Sequence, residues 1–251
     1  MIDLRGRRAL VTGGSRGIGA ATARLLARAG ADVMLGYRSR AADAGRVVAE
    51  LGTLGVRAAA HASDISTRGG AESLVHATLD RLGGLDLFVG NAGVWPVEEV
   101  GVARMDEARW NTTMRENVDS IFYSTRAVAN AISDGGRIVL VSSTAGQRGE
   151  AFHADYGASK GAVISFAKSL AVELAPRDVT VNAVAPGWVD TEMVAEPMAA
   201  EGRARISANI PLGRIASPDD IAGPIVFLCS SLARHVTGEI LNVNGGSVLC
   251  G

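Results

Sequence analysis

Cysteine is almost missing from this chain of 251 residues: Cys229 and Cys250 are the two, with no paired spacing. No CxxC motif or Cys/His cluster exists, so neither a disulfide framework nor a structural zinc site is expected, and no metal is called for. Both thiols read as free, in a reducing compartment. No apolar run reaches ~18 residues, which argues against a membrane-spanning helix. The opening Met1-Ile2-Asp3-Leu4-Arg5 lacks the apolar core of a signal peptide, so a cytoplasmic location is expected. Neither sign of charge dominates: 25 basic and 26 acidic residues leave −1, and the arginines are scattered. Nucleic acid and acidic membrane surfaces are therefore not expected as partners. Lysine is scarce too, with two residues against 23 arginines.

What is present is ample apolar residue, 47% of the chain, and 31 glycines. That suffices for one large core, and the length suits a single domain spanning 1–251. Short apolar stretches alternate with helical ones. Strands are expected at Arg8–Thr12, from Val33, at Val56–His61, Leu85–Gly90, Arg137–Ser142, Thr180–Ala185 and Glu239–Val243. Helices are expected after Gly19, over Ala41–Leu54, Thr67–Leu82, Glu107–Ile132, Ala154–Ala175 and Pro218–Ser230. Such alternation implies a parallel sheet with helices on both faces. One irregular insert, 187–210, interrupts it.

The first strand runs into Gly13-Gly14-Ser15-Arg16-Gly17-Ile18-Gly19 and then a helix. Glycines let backbone approach a phosphate, and the helix start supplies free N–H groups and a positive dipole end. The second strand ends Leu35-Gly36-Tyr37-Arg38-Ser39-Arg40. It lacks the carboxylate that usually holds a ribose 2′-hydroxyl. Arg16 and Arg38 instead suit a 2′-phosphate, so the expected cofactor is NADP(H). Asp64, after the third strand, suits either an adenine amino group or a helix cap. Asn91-Ala92-Gly93, after the fourth, lets a cofactor lie against backbone.

One of the two lysines stands four residues after a tyrosine, in Tyr156-Gly157-Ala158-Ser159-Lys160. Side chains four apart share a helix face. Chance placement gives only ~0.02 such matches per chain of this composition, so the pair reads as functional. A neighbouring ammonium favours phenolate and is expected to lower the Tyr156 pKa from its usual value near ~10. Ser143 precedes Tyr156 by 13 positions, and Asn117 sits inside a long helical stretch, where asparagine is mildly unfavourable unless its amide is used.

These residues resemble a known family, the short-chain dehydrogenases/reductases. The matching residues are Thr12-Gly13-x-x-x-Gly17-x-Gly19, Asp64, Asn91-Ala92-Gly93, Asn117, Ser143, Tyr156-x-x-x-Lys160, Pro186-Gly187 and Thr237-Gly238-Glu239-x-x-x-Val243-Asn244-Gly245-Gly246. They run nearly the whole chain. Gly90 departs from the pattern, standing where the family often has a second asparagine. The resemblance implies a Rossmann-type, doubly wound, seven-stranded parallel α/β sheet. It implies that Tyr156 is the general acid/base of a ketone–alcohol interconversion and that Ser143 orients the carbonyl oxygen. Lys160 would bind the nicotinamide ribose, and Asn117 would hold a water that resupplies protons. It extends the cofactor set to Ser15, Ile18, Tyr37, Ser39, Ile65, Tyr156, Lys160, Pro186, Gly187, Val189 and Thr191. A homotetramer is also implied.

The substrate is expected to lie among Trp95, Ser143, Phe152, His153 and Trp188, with the 187–210 insert as a lid. Trp95 and Trp188 read either as an aromatic wall or as packing residues. The pattern is most similar to bacterial 3-oxoacyl-(acyl carrier protein) reductases. Arg177 matches an arginine that docks the acidic carrier, whereas Asp134 opposes it. A sugar, steroid or small ketone is the alternative substrate, and a silent nucleotide-sensing scaffold the non-enzymatic one. The enoyl reductases space Tyr and Lys more widely.

Overall fold

The computed structural model describes residues 2–199 and 202–249; Cys250 lies outside them. Seven strands form one parallel sheet in the order β3-β2-β1-β4-β5-β6-β7. They are β1 (Arg8–Thr12), β2 (Asp32–Tyr37), β3 (Ala58–Ala62), β4 (Leu87–Gly90), β5 (Arg137–Val141), β6 (Thr180–Pro186) and β7 (Ile240–Val243). The helices between them are α1 (Gly17–Arg28), α2 (Ala41–Gly52), α3 (Arg68–Leu82), α4 (Glu107–Met114), α5 (Ser120–Ala131), α6 (Thr144–Arg148), α7 (Ala154–Leu174), α8 (Gly202–Ala208) and α9 (Pro218–Leu228).

Strand periodicity sorts the core into two layers. Ala9 and Val11 of β1, with Val139 and Val141 of β5, face a core closed by Leu26 of α1, Val47 of α2 and Ile225 of α9. The alternate residues Leu10, Ile138 and Leu140 face Leu74 of α3, Val128 of α5 and Val163 of α7. Successive strand side chains point to opposite faces, so both faces must be covered. The chain winds outward from β1 to β3, then returns to add β4 on the other side of β1. The strand order reverses there, and ligands of open α/β sheets bind outside the strand C-termini at that point.

Asp86, just before β4, fixes its start against β1. Its carboxylate accepts from Arg8 Nε at 2.7 Å, Arg8 Nη2 at 2.9 Å and the Arg8 backbone N–H at 3.0 Å. At the other end, Thr12 Oγ1 accepts from the backbone N–H groups of Asn91 (3.0 Å) and Ala92 (3.1 Å). Gly90 completes β4. A Cβ there would lie 2.8 Å from Leu140 Cδ2 and 3.0 Å from Ile121 Cδ1, so apolar packing fills the place of the family's second asparagine.

Two expectations need correction. The stretch expected as one helix over Glu107–Ile132 is broken by a π-helical turn at Arg115–Asp119, between α4 and α5. The Ser120 N–H reaches Arg115 O, and Ser120 Oγ donates to the Glu116 carbonyl at 2.6 Å. The 187–210 insert is not irregular throughout: it carries a 3₁₀ turn at Glu192–Val194 and helix α8. Met198, Ile206, Ile210 and Ile215 give it a small core of its own, with Trp188 and Val194 packed against it.

Candidate active site

A cleft of about 380 Å³ opens at the C-terminal ends of β1, β2, β4, β5 and β6. Its floor at one end is the glycine loop, where Gly13 (φ +63°) and Gly17 (φ +53°) take the left-handed backbone. Arg16 is the N-cap residue of α1 and makes no side-chain cap bond. The first N–H groups of α1 therefore carry no side-chain cap, and the helix start, with its positive dipole end, lines the cleft. Gly19 stands behind the loop instead of lining the cleft. A Cβ there would fall 2.3 Å from Gly13 O, so this glycine lets the helix start approach the loop that follows β1.

Ser15, Arg16, Ile18, Tyr37, Arg38, Ser39, Asp64, Ile65, Asn91, Ala92, Gly93, Pro186, Gly187, Val189 and Thr191 all line the cleft, as the sequence led one to expect. Arg40 joins them. No acid stands at the C-terminal end of β2, although Asp43 of α2 lies 3.6 Å from Arg40, and two distant glutamates reach the same place. Arg38 Nη1 donates to Glu116 at 2.6 Å, and Arg16 Nη1 to Glu192 at 2.6 Å, with Arg40 3.7 Å from Glu192. Glu116 lies in the π turn and Glu192 in the insert, so neither was visible from the β2 sequence. Arg16 and Glu192 are both largely exposed, and such a pair contributes ~0–1 kcal/mol, little enough for a phosphate to displace, whereas Glu116 is mostly buried behind the half-exposed Arg38. Asp64 is committed to its own turn, accepting from Ser66 N–H at 3.1 Å and Ser66 Oγ at 2.6 Å.

At the other end of the cleft, α6 and α7 pack closely enough that a Cβ on Gly146 would lie 2.5 Å from the Lys160 carbonyl carbon. Ser143 begins α6 and lines the cleft with Tyr156 and Lys160 of α7. Lys160 Nζ lies 5.8 Å from the Tyr156 ring centroid and donates to Val141 O at 3.0 Å. Opposite, a Cβ on Gly93 would meet Lys160 Nζ at 3.2 Å and Asn117 Oδ1 at 2.9 Å. Asn117 is fully buried behind this wall and does not line the cleft. Its Oδ1 accepts from Val94 N–H at 2.7 Å, and its Nδ2 donates to Val94 O at 2.9 Å and Ser159 Oγ at 3.0 Å. The amide thus pins the segment after Gly93 to α7.

Burial governs the protons. It pushes the Tyr156 phenol up to about 12; the Ser143 hydrogen bond pulls the other way, and the Glu150 carboxyl adds to the rise. It pushes the Lys160 ammonium down to about 8. The expected lowering of the phenol pKa by Lys160 is therefore reversed. At 5.8 Å from the ring, and donating to a backbone carbonyl, the ammonium does not offset desolvation.

Trp95 and Trp188 both line the cleft, edge to face with centroids 5.9 Å apart. Phe152 and His153 do not line it. Phe152 takes φ +64°, a conformation bulky residues rarely adopt, and its ring is 54% exposed on the outer side near Gly101. His153 is buried, stacked behind Trp95 at 4.9 Å. Glu150, from the same stretch, lines the cleft; a lone glutamate in a loop gives no sequence signal that singles it out.

Comparison with known proteins agrees with this architecture. A family model described as enoyl-(acyl carrier protein) reductase matches residues 13–247. The 3-oxoacyl-(acyl carrier protein) reductase of Vibrio cholerae is 40% identical over 98% of both chains. The L-rhamnose 1-dehydrogenase (NAD(P)(+)) of Azotobacter vinelandii is 37% identical over 94% of both. Among solved structures, a short chain dehydrogenase from Burkholderia cenocepacia in complex with NADP superposes with TM-score 0.91 at 36% identity, covering 97% of this chain and 98% of that one. With the parallel sheet, the glycine loop and the Ser143/Tyr156/Lys160 arrangement, these likenesses establish that the chain belongs to the short-chain dehydrogenase/reductase family.

Proposed function

We propose that the chain is an NADP(H)-dependent oxidoreductase interconverting a ketone and a secondary alcohol. The observation that carries this reading is the convergence of Ser143, Tyr156 and Lys160 at one end of a cleft whose other end gathers Arg16, Arg38 and Arg40 about an uncapped helix start. The residues fit the cofactor. The left-handed glycines leave room for a pyrophosphate, the arginines suit a 2′-phosphate, and Ala92 and Gly93 allow a flat ring to lie against backbone. When bound, NADP(H) supplies or accepts the hydride.

The protein's own groups handle the proton. Tyr156 is held neutral by burial, so it stands ready to donate to a carbonyl oxygen in the direction of reduction. Ser143 orients that oxygen. Lys160, charged below about 8, stabilises the phenolate left behind and would hold a ribose hydroxyl of the bound cofactor. Asn117 acts through position, holding Val94 and α7 together. The three-residue gap between Tyr156 and Lys160 favours carbonyl over enoyl reduction.

Two observations weigh against an acyl-carrier substrate, the one named for the Vibrio cholerae relative. Arg177, the candidate docking residue, is tied to Asp134 at 2.8 Å. It also caps the α5 end, through Ala129 O at 2.7 Å and Ile132 O at 2.5 Å. Assembly as a homotetramer in the cytoplasm completes the proposal. Half-exposed Phe122 on α5 with tilted Tyr123 and Phe166 nearby supports an interface there. No helix among the described residues is long and apolar enough to cross a membrane.

Michaelis constants with each nucleotide test the cofactor assignment. We expect NADPH to have the lower value, by about tenfold or more, and Arg38→Ala to erase most of the difference. Equal values, or a lower one for NADH, would discard NADP(H) preference. Nucleotide binding without oxidation of NADPH by any ketone would favour a scaffold.

A further inference from the structure

The cleft beyond Tyr156 holds a carboxyl group that the reduction of a ketone does not require. Glu150 lines the cleft with Trp95 and Trp188, and about a quarter of its side chain is exposed. One oxygen, Oε1, accepts from Trp95 Nε1 at 3.3 Å and lies 3.7 Å from His153 Nδ1. The His153 ring stacks behind Trp95, and its Nε2 is buried without a partner. Glutamate, indole and imidazole therefore hold one another in place at the substrate end. The Trp95 and Trp188 rings present apolar surface around a polar acceptor. Glu150 lines the same cleft as Tyr156.

The chemistry of that wall selects among carbonyl compounds. A plain alkyl chain laid against Glu150 would strip water from a carboxyl group and return no hydrogen bond. A substrate hydroxyl donates to it, while the carbon skeleton rests on the tryptophan rings. We propose that Glu150 is a specificity-determining residue that accepts a hydrogen bond from a substrate hydroxyl, so that the preferred substrate is a hydroxylated carbonyl compound and not an alkyl ketone or fatty acyl thioester. This rests on the ketone–alcohol reading above and narrows it.

Matched pairs differing by hydroxyl against methyl test it: hydroxyacetone against butanone, and erythrulose against 4-methylhexan-3-one. NADPH oxidation is followed for the native protein, Glu150→Ala and Glu150→Gln. Hydrogen bonds to charged groups are worth enough to give the native protein about a tenfold to hundredfold higher kcat/KM for the hydroxylated member. Glu150→Ala should bring the pair to within a few-fold of each other. Glu150→Gln, which keeps an acceptor and the side-chain volume, should retain part of the preference, and NADPH affinity should not move in either variant. Alkyl ketones reduced as well as their hydroxylated partners would overturn the proposal and leave the reductase reading intact. So would a preference that survives Glu150→Ala. Oxidation of NADPH with none of the four compounds would overturn both.

Discussion

Tyr156 and Lys160 show how strongly burial acts on single groups. Lys160 is buried and Tyr156 partly so, and both are driven toward the neutral form: the phenol to about 12, the ammonium to about 8. The consequence for catalysis has a definite sign. Reduction needs Tyr156 protonated, which holds throughout the working range, and needs Lys160 charged, which fails as pH rises. We expect kcat/KM for ketone reduction to be level below pH about 8 and to fall above it, as Lys160 loses its proton. A profile that stays flat through pH ~9, where a lysine of ordinary pKa is still charged, would contradict the assignment. The sequence identified this pair from its spacing and from the scarcity of lysine. It gave the wrong direction for the phenol, because spacing along a helix carries no information about desolvation. Phe152 takes a left-handed backbone and does not line the cleft, and nothing in the local sequence announces that turn.

At the scale of elements, strand periodicity was plainly legible, since Leu10 and Val11 must face opposite layers whatever surrounds them. The π turn at Arg115–Asp119 was not, because α4 and α5 have ordinary helical patterns on either side. Its effect is to set Asn117 facing Val94 and Ser159, where an amide buried in helical sequence finds three partners. Asn117→Ala would leave the Val94 N–H and C=O without their side-chain partners. We expect a loss of about 3 kcal/mol, read as a Tm lower by roughly 6–12 °C, together with a large fall in kcat. An unchanged Tm in thermal unfolding would show that the clamp is dispensable. The acids facing Arg16 and Arg38 belong to the same lesson. Glu116 comes from the π turn and Glu192 from the insert, so the charge balance at the nucleotide end is a tertiary property.

For the whole molecule, the order of strands places every loop that matters on one edge of the sheet, and that placement followed from the βα alternation alone. Assembly was less legible, since apolar residues on more than one face of α7 suit a thick core as well as an interface. The folded chain leaves Phe122 43% exposed and Val172 78% exposed, and a charge introduced among such aromatics would oppose association. On the proposed tetrameric assembly, Phe122→Glu is expected to lower the molar mass measured by light scattering. A monomeric native protein would remove the interface from the account. The central claim is the proton donor in the cleft, and its most direct measurement is the decrease in absorbance at 340 nm when NADPH and a ketone panel meet the native protein and Tyr156→Phe. The native protein should oxidise NADPH. The variant should bind NADPH with unchanged affinity but lose activity by about 10²–10⁴-fold or more. A Tyr156→Phe protein that retains substantial turnover would contradict the acid/base assignment.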